Sequence, residues 1–103
     1  METQKTTVAV LNDTFRKSGQ GITVTPGVRA MEDLIGLIDE IRSFKDFNDD
    51  NDPYGEHDFG TVYWDCEKVF FKIDYYDQSL TYGRHPLYSE CRRVMTVMLA
   101  SEY

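Results

Sequence analysis

The chain has 103 residues, 41% of them hydrophobic and 14% aromatic, with a formal net charge of −7. That length fits one domain, and the supply of core-forming residues excludes a disordered chain. The acidic balance argues against direct binding of nucleic acid, which draws on a basic patch, and no apolar run is long enough to form a transmembrane helix.

The opening residues, Met1-Glu2-Thr3-Gln4-Lys5, lack the basic and apolar regions of a signal peptide. Cys66 and Cys91 form no CxxC pair, so reduced thiols in a cytoplasmic protein are expected. Residues 3–18 read as a helix: Val8, Leu11 and Phe15 fall at helical spacing, and Ala9 and Val10 widen the stripe. Gly19-Gln20-Gly21 supplies the open conformations that stop it. Residues 21–25 alternate Ile22 and Val24 with Thr23 and Thr25, the pattern of a short strand.

After Pro26-Gly27 a second helix is predicted to run to about Phe44. Its apolar stripe is Met31, Leu34, Ile35, Ile38 and Ile41, with Arg29, Glu32, Asp33, Asp39 and Glu40 opposite. Gly36 inside it marks a close packing contact. Residues 45–56 have no periodicity and form a polar loop. Asp58–Trp64 and Val69–Tyr76 read as strands joined by a hairpin turn at Asp65-Cys66-Glu67-Lys68. In the second of these, Val69, Phe71, Ile73 and Tyr75 take the core face. Residues 77–88 form another loop, broken by Gly83 and Pro86. A last helix is predicted behind Ser89 as N-cap and Glu90 in the first turn, with Cys91, Val94, Met95, Met98 and Leu99 as its stripe. The order α-β-α-β-β-α predicts a single α+β domain over residues 1–103, with a three-stranded antiparallel sheet and helices packed against it.

The charge is concentrated. Residues 46–77 hold ten acids (Asp46, Asp49, Asp50, Asp52, Glu56, Asp58, Asp65, Glu67, Asp74, Asp77) against Lys68 and Lys72, whereas acids and bases balance over residues 1–45. A concentrated charge steers a partner, holds a cation or repels nucleic acid.

Several segments resemble a known family. They are Leu11-Asn12-Asp13-Thr14-Phe15-Arg16, Thr25-Pro26-Gly27-Val28, residues 51–60 (Asn-Asp-Pro-Tyr-Gly-Glu-His-Asp-Phe-Gly), Lys72-Ile73-Asp74-Tyr75-Tyr76-Asp77 and residues 93–103. On these the chain resembles the bacterial domain of unknown function 3768. The family carries no established activity. Its occurrence on plasmids and other mobile elements implies a cytoplasmic accessory role and interference with host defence. The loop after Asp77 departs from the Asp/Pro-rich version in that family.

Among motifs that carry chemistry, Asp46, Asn48, Asp50 and Asp52 stand at every second position, the start of a calcium-loop spacing. The pattern then fails, with Asn51 where glycine belongs and His57 where a bidentate glutamate belongs. Glu56-His57-Asp58 suits a general base or a metal ligand, or a loop stapled by its own side-chain bonds. Neither His85 nor the cysteines stand at zinc-ligand spacing. A nuclease motif fails because Asp52 precedes Pro53 and no acid stands two before Lys72. Tyr54, Tyr63, Trp64, Tyr75 and Tyr76 lie beside the acids, as core or as interface anchors. Arg92 and Arg93 are expected as surface charges that pair with the acidic segment.

The expected function is that of a non-catalytic interaction protein without cofactor or metal. Its partner-binding residues are Asp49, Asp50, Asp52, Tyr54, Glu56, His57, Asp58, Tyr76 and Asp77. The expected partner is a protein with a basic, nucleic-acid-handling surface, and an inhibitor of a restriction or CRISPR defence fits that description. The alternatives are a metal- or small-ligand-binding, enzyme-like domain on the Asp50–Asp58 loop, and a structural homo-oligomer paired through a sheet edge.

Overall fold

The computed structural model describes residues 7–80, 82–87 and 90–103. In chain order its elements are α1 (Thr7–Ser18), β1 (Ile22–Val24), α2 (Pro26–Arg29), α3 (Leu34–Arg42), β2 (Phe59–Trp64), β3 (Glu67–Tyr76) and β4 (Arg92–Leu99). A 3₁₀ turn follows at Ala100–Glu102. The fold is α+β, but the sheet has four strands in the order β1-β4-β3-β2 and is mixed: β1 runs parallel to β4, and the other pairs are antiparallel.

The segment predicted as the last helix is instead β4, placed between β1 and β3. Met95 partners both Ile22 and Ile73 across the two ladders. Met95, Val97 and Met98 are buried, as suits a strand with a neighbour on each side, and Met95 and Val97 point into the core. Ser89, the predicted cap, lies outside the described residues, as do the first residues of the predicted first helix.

The predicted second helix is two. Between α2 and α3, Asp33 adopts a left-handed φ of 55° and its Oδ1 accepts from the Gly36 amide at 3.1 Å, so Asp33 caps a new helix. The restart turns Leu37 and Ile41 inward and leaves Ile35 78% exposed, against its place in the predicted stripe. Gly36 does mark a close contact: a Cβ there would sit 2.4 Å from the Asp33 carboxylate and 2.9 Å from the Trp64 ring.

The hairpin turn is shorter than predicted, only Asp65 and Cys66, both left-handed at φ 51° and 63°. That is the two-residue turn whose twist matches its strands. Val69, Phe71 and Ile73 are buried on one face of β3, as alternation predicts. They pack with Val28, Leu37, Ile41, Val62, Met95 and Val97, so α2 and α3 cover one face of the sheet. The 3₁₀ turn closes the far side. The Glu102 carboxylate accepts from Thr25 Oγ1 (2.6 Å), Gly27 N (3.1 Å) and Leu99 N (2.9 Å), which holds its pKa below the ordinary value.

α1 reverses the expected polarity. Leu11 and Val10 are 40% and 49% exposed, whereas Asn12, Asp13 and Arg16 are buried together with Ala9. Of the predicted stripe, Ala9 is fully buried and Phe15 packs against the core.

Candidate functional site

Arg16 is the largest fully buried side chain, and every donor group it carries is used. Its Nε donates to the Ile41 carbonyl (3.1 Å), one terminal nitrogen to the Phe44 carbonyl (2.9 Å), and the other to Asp13 Oδ1 (3.0 Å). The guanidinium also lies over the rings of Phe47 and Phe71. A buried charge is tolerated only when paired and fully hydrogen-bonded, and these contacts meet that condition. They bind α1 to the last turn of α3 and to the chain just beyond it.

Asp13 passes the network on. Its Oδ1 lies 2.9 Å from His57 Nδ1, and His57 Nε2 lies 3.6 Å from Asp52 Oδ2. The imidazole stacks on Phe47 at 3.9 Å and 9°. Asp52, 8% exposed, also accepts from the amides of Glu56 (3.1 Å) and His57 (3.2 Å). His57 itself has φ 55°. The Nδ1 contact to Asp13 and the stacking on Phe47 tie His57, and the loop that carries it, to α1 and to the chain beyond α3.

Asn12 forms the other branch. Its Nδ2 donates to the Glu56 carbonyl (2.9 Å) and to the Tyr75 hydroxyl (2.8 Å), and its Oδ1 accepts from Arg93 Nε (2.8 Å). Arg93 also donates to the Pro86 carbonyl (2.6 Å) and lies over the Tyr75 ring. It is thus a half-buried clamp on β4, not a surface charge paired with the acidic segment. Burial, with Asp58 and Glu56 nearby, pushes the Tyr75 phenol up to about 12. Burial, then Asp58 and Asp52, raises the Glu56 pKa; burial, then Asp52 and Asp74, raises that of Asp58.

The nine residues singled out from the sequence therefore separate. Asp52 and His57 are interior, with Glu56 and Asp58 half-buried beside them. Asp49, Asp50 and Tyr54 face solvent, Tyr54 at 83% exposure. Tyr76 closes β3 and Asp77 follows it; Tyr76 partners Arg92, and Asp77 accepts from Ser79 Oγ at 2.8 Å. Asn12, Asp13, Arg16, Phe47 and Arg93 complete the network, and the sequence reading missed them. Their signal was Asn12, Asp13 and Arg16 at helical spacing on one face of α1.

The calcium-like spacing does not converge. Asn48 Oδ1 accepts from the Asp50 and Asn51 amides at 2.9 and 3.1 Å, and Asp52 turns inward. Among the described residues no group of three or more His, Cys, Asp or Glu is disposed to hold a metal ion. The recess beside Asp13, Arg16, Phe47 and His57 is about 170 Å³, below the roughly 300–1,000 Å³ of small-molecule sites.

A family model described as "Protein of unknown function (DUF3768)" matches residues 24–102, and the chain belongs to that family. No curated protein and no solved structure matches it. The matched segment runs from the last residue of β1 to the 3₁₀ turn, whereas α1, which supplies Asn12, Asp13 and Arg16, precedes it.

Proposed function

We propose that this protein is a non-catalytic binding module whose loop over residues 46–58 engages a basic protein surface. One observation carries the reading: the loop is fixed from beneath and charged on top. Asp52 and His57 tie it to α1, while Asp46, Asp49, Asp50 and the 83%-exposed Tyr54 stay in solvent. A loop ordered before binding loses little entropy on contact, and an exposed aromatic among carboxylates has the chemistry of an interface anchor with a charged rim. The exposed acids favour a basic protein surface, of which one built to grip nucleic acid is an example. A cytoplasmic accessory protein that blocks such a surface in a defence complex is the role this reading supports.

The test compares the wild type with Asp49→Asn/Asp50→Asn/Tyr54→Ala in salt-graded capture from a bacterial lysate. The captured protein is identified by mass and its surface mapped by cross-linking. Capture of a basic surface that weakens with salt and disappears in the variant, at unchanged thermal stability, supports the proposal. Equal capture by both chains removes it.

A further inference from the structure

β2 ends the sheet, and its outer edge is open. The Ile73 amide donates to the Asp58 carbonyl at 2.8 Å, and β2 then follows β3 residue for residue from Phe59–Lys72 to Trp64–Glu67. Antiparallel geometry makes Asp58, Gly60, Val62 and Trp64 the residues whose backbone groups face β3. Phe59, Thr61 and Tyr63 direct theirs outward, where no backbone group of the described residues meets them. The strand, Phe-Gly-Thr-Val-Tyr-Trp, carries no charge and no proline. Natural sheets protect edges with charge, proline or a bulge, and this edge has none within it.

The charges stand at its two ends. Asp58 precedes the strand; Asp65 and Glu67 follow it. At the Trp64 end, Glu32, Asp33 and Asp65 join Tyr63 and Trp64 around a shallow recess of about 320 Å³. Carboxylates beside aromatic faces form a seat for a Lys or Arg side chain. The same charges disfavour a second copy. Antiparallel self-pairing centred on Thr61 places Asp65 of each chain beside residues 57–58 of the other, and joins two chains of charge −7.

We infer that the free edge of β2 receives an extended segment of a partner protein as an added strand. Basic residues of that segment reach the carboxylates at each end, and one enters the Glu32–Asp33–Asp65 recess. Backbone hydrogen bonds give the affinity of strand addition and the flanking charges give its selectivity. The inference goes beyond the loop reading and stands without it.

The test is amide NMR of the full chain titrated with the peptide Lys-Thr-Val-Thr-Val-Thr-Lys and with its counterpart carrying Glu at both ends. The Lys peptide is expected to shift the amides of Phe59, Thr61 and Tyr63, slow their exchange roughly tenfold, and lose its grip as salt rises. Thr61→Pro removes an outward donor and no β2–β3 bond, so it abolishes these changes while the fold holds. Should that variant unfold, Tyr63→Lys takes its place and weakens the response roughly tenfold by repulsion. Equal binding of the Glu peptide, or silence at the three amides, overturns the inference. So does protection of those amides in a peptide-free chain that scatters light as a dimer. Asp49→Asn/Asp50→Asn/Tyr54→Ala must bind the Lys peptide as the wild type does; loss there assigns the contact to the loop and overturns the edge.

Discussion

Asp50 and Asp52 lie two residues apart on one loop, and the fold treats them oppositely. Asp50 stands in solvent with its amide bonded to Asn48. Asp52 is buried, accepts two backbone amides and faces His57. The difference teaches that an acidic run is not one patch. Part of this charge holds the chain in shape, and only the remainder is available to a partner.

The sharpest break of that comparison is at the root of the anchor. Arg16→Ala leaves Asp13 buried without its guanidinium, takes the side-chain donor from the Phe44 carbonyl, and leaves the Ile41 carbonyl with only the Phe44 amide. It is expected to cost about 3–5 kcal/mol in urea unfolding. Asp52→Ala removes the acceptor of the Glu56 and His57 amides and is expected to cost about 1–3 kcal/mol, with faster hydrogen exchange over residues 52–58.

Asp58 sharpens the comparison because its effect has the opposite sign. Glu56 and Asp58 hold protons more tightly in the folded chain than in the unfolded one. Their contribution to stability therefore falls as pH rises from the unfolded values through the raised folded values, and the loss is complete above these. Asp58→Asn is expected to raise the thermal midpoint at neutral pH and to leave it unchanged below the ordinary Asp value of 3.8. Thermal melts across pH check this. The smallest effect belongs to the exposed rim: Asp50→Asn is expected to change stability by less than about 0.5 kcal/mol, in the same urea assay.

How legible these regions were follows from their patterns. The β2–β3 hairpin alternates cleanly, and its sequence predicts both the strands and the core face. β4 misleads because Val94, Met95, Met98 and Leu99 satisfy a helical stripe as well as a buried strand, and periodicity alone does not separate the two. The better signal was the β-branched run Val94, Thr96 and Val97. The break at Asp33 was hidden because Met31 and Leu34 keep helical spacing across it. The site was legible in composition but not in depth. Asp52 and Asp50 are the same residue type, and only the Glu56 and His57 amides and the His57 ring, brought together by the fold, set Asp52 apart.

The position of β4 also dictates an order of events during synthesis. β4 follows β1, β2 and β3 in the chain, yet it lies between β1 and β3. Until it emerges from the ribosome, β1 has no strand to pair with, and the β2–β3 hairpin carries an open edge on both sides. The pairing of Ile22 with Met95 closes one of the longest loops in the chain. The newborn chain therefore completes its sheet only once β4 has been made, and any factor that shelters nascent strands has to hold both halves until then.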